Sequence, residues 1–326
     1  GNKNTADGWS HNFELDKYDA LGNEEVYNVQ EVEVNQNDFK FYRATVSGNY
    51  KSGFTVTNKF EVPNEEVTPK VTVEWKDNSN QNNKRPTSVK IQVKDEEGRI
   101  VKESPVTGLI TEESWKKIFE NVPKYNKNGD PINYTITEDP NNPNDLEFYT
   151  TTTSGNITEG FKVVNTYAVP GTTISLKANK KWIDGNNAKN KRPQSIKIEV
   201  RNNNEVVADK EVKGNRTTDA NWNYKFTNLP KYNAQGNEIT YTVEEQEVNA
   251  NDLKFYTKKV SGEQTNGFAV VNKFTVPNEK VTVKVSKTWD DESNRANKRP
   301  ASIKYEVLNS NNQIVASKVQ SGNRNT

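Results

Sequence analysis

Hydrophobic and polar positions alternate along much of this chain. Val89, Ile91 and Val93 are separated by polar residues, as are Ile196, Ile198 and Val200, and Ile303, Tyr305 and Val307. A period of two turns one set of side chains inward and the other toward water, the mark of half-buried β-strands. No segment carries a sustained stripe at helical spacing, and turn dipeptides such as Asn128-Gly129 and Asn266-Gly267 fall between the runs. Short strands with frequent turns predict an all-β chain built of sandwiches of two antiparallel sheets.

The pattern itself recurs. Trp75, Trp182 and Trp289 stand 107 residues apart, and so do Lys84-Arg85-Pro86, Lys191-Arg192-Pro193 and Lys298-Arg299-Pro300. Phe41-Tyr42, Phe148-Tyr149 and Phe255-Tyr256 keep the same step, as do Pro63, Pro170 and Pro277. Trp9, Trp115 and Trp222 fill a second slot with one residue of slippage, so two slots account for all six tryptophans, which are expected to pack cores. A unit of about 107 residues is far longer than a solenoid repeat and should be a domain. Boundaries fall at short proline-containing stretches, 61–69, 168–173 and 275–280. Proline fixes φ and removes a donor, which predicts stiff linkers. The expected division is the C-terminal half of a repeat at 1–60, complete repeats at 70–167 and 175–274, and the N-terminal half of a repeat at 281–326.

Composition narrows the function classes. Only 31% of residues are hydrophobic, which suits several thin cores better than one large one, while 10% aromatics argue against disorder. Lysine plus arginine number 45 against 44 acidic residues, so the basic footprint that binds nucleic acid is missing. No apolar run is long enough to span a membrane. With no cysteine and one histidine, His11, disulfides, thiolate metal sites and histidine clusters are excluded. Acidic runs such as Asp290-Asp291-Glu292 lack the spacing of a calcium loop, and neither metal nor cofactor is expected. The neighbouring carboxylates Glu244 and Glu245 point to opposite faces of one strand and cannot flank a glycosidic bond, so a turnover enzyme is not expected.

The alternation carries one chemical anomaly. Val283, Val285, Lys287 and Trp289 share a face, as do Leu176, Ala178, Lys180 and Trp182, which turns a lysine toward the core. Tyr241, Val243 and Glu245, then Tyr134, Ile136 and Glu138, then Tyr27, Val29 and Glu31 turn in a carboxyl. Phe268, Val270 and Asn272, Phe161, Val163 and Asn165, and Phe54, Val56 and Asn58 turn in a carboxamide. Buried charge is costly, so these groups should be paired or neutral. One reading is a buried Lys–Glu ion pair with an asparagine hydrogen bond. The other is a covalent amide, formed when a neutral amine attacks the asparagine carbonyl beside a protonated glutamate.

The ordered motifs resemble the B-type repeats of collagen adhesins. Lys287-Thr288-Trp289-Asp290-Asp291 with Asn297-Lys298-Arg299-Pro300 looks like the opening of such a repeat. Lys180-Lys181-Trp182-Ile183-Asp184, Lys191-Arg192-Pro193, Leu229-Pro230-Lys231-Tyr232, Tyr241-Thr242-Val243-Glu244-Glu245 and Val271-Asn272 trace a whole one. The resemblance spans nearly the whole chain. It implies tandem inverse immunoglobulin-like (prealbumin-like) sandwiches that form the stalk of a wall-anchored surface protein of Gram-positive bacteria. It also implies an internal Lys–Asn isopeptide bond assisted by an acid, here Lys180 and Asn272 with Glu245.

Beginning at Gly1 in mid-pattern and holding no methionine, the chain reads as a piece of a longer extracellular polypeptide, its export signal and wall anchor lying elsewhere. The first complete repeat departs from the pattern. Val73 stands at the lysine position while Glu138 and Asn165 remain, and no bond is expected there unless a bulge turns Lys70 inward. Glu31 and Asn58 lack a lysine, and Lys287 lacks its acid and amide. These half-repeats are complementary, so head-to-tail self-association is an expectation. The partners expected are neighbouring repeats and, through regions outside this chain, host extracellular matrix. An alternative has the repeats themselves bind matrix protein or glycan through exposed loops such as 141–145, or through Tyr50.

Overall fold

A computed structural model of the chain describes residues 3–4, 8–140 and 145–322. Among them are twenty strands and no helix. In chain order the strands are β1 (Tyr42–Asn49), β2 (Gly53–Phe60), β3 (Glu66–Val67), β4 (Lys70–Lys76), β5 (Ser88–Lys94), β6 (Ile100–Thr107), β7 (Ser114–Ile118), β8 (Val122–Pro123), β9 (Thr135–Asp139) and β10 (Tyr149–Asn156). There follow β11 (Gly160–Tyr167), β12 (Thr173–Ile183), β13 (Ile196–Asn202), β14 (Glu205–Val212), β15 (Tyr224–Pro230), β16 (Tyr241–Gln246), β17 (Tyr256–Glu263), β18 (Gly267–Phe274), β19 (Ser302–Leu308) and β20 (Ile314–Ser321). The chain divides into two compact units, Gly1–Leu176 with Asn202–Glu205 and Lys225–Thr242, and Lys177–Arg201 with Val206–Tyr224 and Val243–Thr326.

In the first unit a sheet ordered β10-β11-β4-β7 faces a second ordered β6-β5-β9. Val71, Val73 and Trp75 of β4, Val89, Ile91 and Val93 of β5, and Phe161 and Val163 of β11 are buried between them, with Trp115 closing one end. Each fully buried side chain of this size is worth roughly 1.5–3 kcal/mol. The inward set is the alternating set read from the sequence. The sheet is mixed rather than purely antiparallel: β4 runs parallel to β11, Val73 opposite Val163 and Trp75 opposite Asn165, because the strands that open and close the repeat lie side by side instead of meeting in a hairpin. Tandem all-β sandwiches are thus what the alternation and the repeat predict, the immunoglobulin-like form is what the resemblance implies, and both are what the chain builds.

β4 keeps a regular register from Lys70, which faces Ile118 of β7, and Lys70 is exposed. No bulge turns it inward. The linker at 61–69 is itself paired, β3 lying antiparallel to β8.

The second unit repeats the arrangement. β12 lies parallel beside β18, with β17 antiparallel on its far side, and β13, β14 and β16 supply the opposing sheet. Ala178, Trp182, Ile196, Ile198, Val200, Trp222, Phe268 and Val270 are buried here.

The two half-repeats differ from the sequence pattern. Residues 25–33 and 275–290 form no strand despite their alternation, and Trp9 and Trp289 are 65% and 40% exposed rather than packed in a core. Each half-repeat keeps one two-stranded ladder, β1 with β2 and β19 with β20, but lacks the strands that these segments pair with in a complete repeat.

Candidate functional site

The parallel register of β12 on β18 sets Lys180 opposite Val270 and Trp182 opposite Asn272. Lys180 and Asn272 therefore point inward from adjacent strands, and Glu245 reaches them from β16 of the opposing sheet. Local backbone is held by side chains here: Asn223 Oδ1 accepts from the Lys180 amide at 2.8 Å, and Asp219 Oδ1 from that of Trp182 at 3.3 Å. The Lys180 Nζ lies 3.6 Å from Glu245 Oε1, and both side chains are sealed from solvent. Asn272 Nδ2 donates to the same Oε1 at 3.1 Å. The amine also approaches the carbonyls of Lys181 and Val270 at 3.2 and 3.4 Å and sits 3.9 Å over the Trp182 ring. All three residues that the sequence aims at one interior are brought together.

Burial dominates the electrostatics. It lowers the Lys180 ammonium to about 8 although Glu245 pulls the other way. It also raises the Glu245 carboxyl against the opposing influence of Lys180 and Asn272. Both shifts favour neutral amine beside neutral acid. Glu245 Oε2 and Asn272 Oδ1 are buried with no hydrogen-bond partner among the described residues. The set holds a nucleophile, a proton carrier and a carbonyl to be attacked.

In the first complete repeat Val73 is fully buried at the lysine position. Asn165 Nδ2 still donates to Glu138 Oε1 at 2.8 Å, and Thr151 Oγ1 closes on the pair. The first half-repeat keeps the same contact, Asn58 Nδ2 donating to Glu31 Oε1 at 2.9 Å. At the other end Lys287 stacks over Trp289 at 4.4 Å. His11 is exposed and touches only the edge of Phe13 among described rings. Of the suggested binding loop, residues 141–144 lie outside the described residues.

Two recurrent features escaped the sequence reading. The first is a buried clasp beneath each core tryptophan. Arg85 grips Asp77 through Nε at 2.9 Å and a second nitrogen, Tyr149 donates to Asp77 at 2.9 Å, and the guanidinium stacks 5.0 Å over Trp75. Burial pushes the Asp77 carboxyl up, and Arg85, the Asn80 amide and Tyr149 together outweigh it, leaving the group below its ordinary value. Arg192, Asp184, Tyr256 and Trp182 repeat the clasp. The signal was present as the invariant step of Lys-Arg-Pro and Phe-Tyr. The second feature is an aromatic joint within the first unit. Phe41 meets Tyr125 edge-on at 5.2 Å, and Phe148 meets Tyr232 at 5.0 Å. Gly236, at φ +71°, lies where a Cβ would strike Tyr167 Oη and Phe148 at 2.8 and 2.9 Å.

The sequence is similar to those of known proteins. The sequence model of the Cna protein B-type domain matches residues 2–59, 70–166, 176–273 and 283–326. A collagen adhesin of Staphylococcus aureus is 34% identical over 300 residues, 92% of this chain and 22% of the adhesin, so the chain spans under a quarter of that relative. Among solved structures, two B repeat units (B1B2) of the collagen-binding protein of S. aureus are 30% identical, with 94% of this chain and 72% of that one covered and a TM-score of 0.37. A single B1 unit is also 30% identical, covering 65% of this chain and 100% of its own, at TM-score 0.27. The four matched stretches take in nearly all of the sequence, and the chain belongs to the Cna B-type domain family.

Proposed function

We propose that this chain is a stretch of the stalk of an extracellular, wall-anchored bacterial adhesin, divided into repeats at 1–60, 70–167, 175–274 and 281–326, and that its second complete repeat is locked by a Lys180–Asn272 isopeptide bond. The observation that carries the reading is the sealed contact of Lys180, Glu245 and Asn272 across parallel β12 and β18. Neutral Lys180 Nζ attacks Asn272 Cγ while Glu245 holds the developing oxyanion through its proton. The amine proton passes by way of Glu245 to Nδ2, the Cγ–Nδ2 bond breaks, and ammonia leaves. One amide replaces another, so no oxidant is needed, and the reaction runs once per chain. A host matrix ligand is met by other regions of the longer protein.

Intact mass with peptide mapping tests the bond. One ammonia is lost, and a single crosslinked peptide pair joins Lys180 to Asn272. A chain at full mass after complete folding would reduce the set to a buried ion pair and leave the stalk reading without its covalent lock.

Self-association is the second element of the proposal. A polypeptide made with these 326 residues carries a groove of about 1170 Å³ lined by Trp9, Phe13, Tyr27, Val29, Phe54 and Val56. Val281, Val283 and Val285 are exposed at its other end. Residues 281–289 of one copy lie parallel to β2 of another, Lys287 opposite Val56 and Trp289 opposite Asn58, as β12 lies on β18. Lys287 then reaches Glu31 and Asn58. Light scattering across concentration shows dimers and longer chains, and Lys287→Ala removes their covalent fraction. A monomer at every concentration would sink this pairing.

A further inference from the structure

The residue directly across the strand pair from each inward asparagine differs among the repeats. It is Ala44 opposite Asn58, Thr151 opposite Asn165 and Lys258 opposite Asn272. Threonine appears where Val73 has displaced the lysine. In the second repeat Glu245 Oε2 and Asn272 Oδ1 are left buried without partners, and in the first half-repeat Glu31 Oε2 is too. In the first complete repeat the counterparts of the first two atoms both meet Thr151. Its Oγ1 lies 2.5 Å from Asn165 Oδ1 and 3.2 Å from Glu138 Oε2, while Asn165 Nδ2 reaches Glu138 Oε1 at 2.8 Å.

Three contacts join three groups, and each contact needs one hydrogen. Asn165 gives one from Nδ2 and Thr151 gives one from its hydroxyl. Asn165 Oδ1 is an acceptor only, so the Thr151 hydrogen goes there. The contact between Thr151 and Glu138 Oε2 then requires a hydrogen on the carboxyl. Turning the amide over changes the direction of the ring and not the count: Asn165 donates to Thr151, Thr151 to Glu138, and the carboxyl to Asn165. An ionised Glu138 leaves one contact as lone pair against lone pair in either orientation.

We propose that Glu138, Thr151 and Asn165 form a closed hydrogen-bonded ring that keeps one proton on Glu138 in place of the missing lysine, so that the first complete repeat is held by a reversible, pH-dependent clasp. Its charged surroundings are already matched to each other. On the same sheet Asp139 of β9 pairs with Lys90 of β5 at 2.8 Å, with Glu103 of β6 at 3.8 Å from that lysine. Across the sandwich Glu74 of β4 pairs with Lys162 of β11 at 2.6 Å. Asp77 is committed to Arg85 and Tyr149, and β10 presents only threonines beside Thr151. Burial raises the Glu138 carboxyl above its ordinary value of 4.5 despite hydrogen bonds from Asn165 and Thr151. A folded-state value above the unfolded one binds the proton more tightly when folded. The contribution is complete below 4.5 and is lost as pH rises through the raised value. Asp77 has the opposite sign, its contribution being lost only in acid.

Hydrogen exchange on the full chain tests the clasp, read for residues 160–167 against 267–274 and corrected for the intrinsic pH dependence. Protection of 160–167 falls as pH rises from 4.5, while 267–274, held shut by the Lys180–Asn272 bond of the proposed function on which this control rests, does not follow. Glu138→Gln, whose amide supplies the same hydrogen at every pH, abolishes the dependence. Thr151→Val lowers the protection of 160–167 by about tenfold, the cost of one unsatisfied buried acceptor. Carbon-13 titration of the glutamate carboxyls places Glu138 above the ordinary range. Protection of 160–167 that is flat with pH in the unmodified chain would overturn the proposal, and that measurement needs no variant to fold.

Discussion

Lys180 is a cation placed where a cation is expensive. The desolvation it suffers exceeds the attraction of Glu245, so the ammonium falls to about 8 instead of rising as an exposed lysine beside a carboxylate does. In a chain made cell-free, held in denaturant and then diluted to fold, crosslinking therefore accelerates with pH up to about 8. The neutral amine then predominates, and the rate flattens beyond. A rate unchanged between acid and pH 8 would remove the amine from the mechanism. Glu245→Ala keeps the fold and retains the ammonia, read as full intact mass. This residue set was legible because a period of two forces Lys180 onto the face of Trp182. Thr151 was not, since it sits among Thr150, Thr152 and Thr153, all exposed, where no apolar alternation marks which hydroxyl reaches Asn165. The clasp of Asp77 with Arg85 was visible only as a repeated motif. The two stand eight positions apart across a turn, and no periodicity says that such a turn closes on itself.

At the scale of strands and turns, the two complete repeats are one scaffold with two fillings. Glu138 and Asn165 hold nearly the separation of Glu245 and Asn272, 2.8 against 3.1 Å. Val73→Lys together with Thr151→Lys recreates the second repeat's set inside the first. That double variant loses two ammonias where the parent loses one, by intact mass. The turn from Asp184 to Arg192 depends on one ion pair that is sealed from solvent and capped by Tyr256. Arg192→Ala leaves Asp184 buried without its counter-charge and costs about 3–5 kcal/mol. Chemical denaturation shows this as a lower midpoint for the second repeat with the first unmoved. Alternation alone overstated the half-repeats, where 25–33 and 275–290 have the sequence of strands and no ladder to join.

At the scale of the molecule, the joint at Tyr232 decides how firmly one repeat holds the linker of the next. Lys231 donates its amide to Thr172, Tyr232 donates to Glu147 at 3.0 Å, and Gly236 fits against Tyr167, Lys84 and Phe148. Gly236→Val meets both a left-handed backbone and occupied space, at a cost of about 1–2 kcal/mol from the backbone alone. Exchange at 231–238 should quicken while the core strand at 160–167 stays protected. The repeat length made the joints' positions legible, and the proline linkers suggested stiffness. Their aromatic content was hidden because Phe148 and Tyr232 lie far apart in sequence.

The parallel pairing of β12 with β18 has a consequence for survival against proteases. Once Lys180 and Asn272 are joined, residues 181–271 become a closed ring hung between two strands that carry the chain onward. A protease that nicks any loop of that ring opens it without parting the molecule. The nicked chain still migrates as one species under denaturing conditions, and what lies on either side of the wound stays tethered.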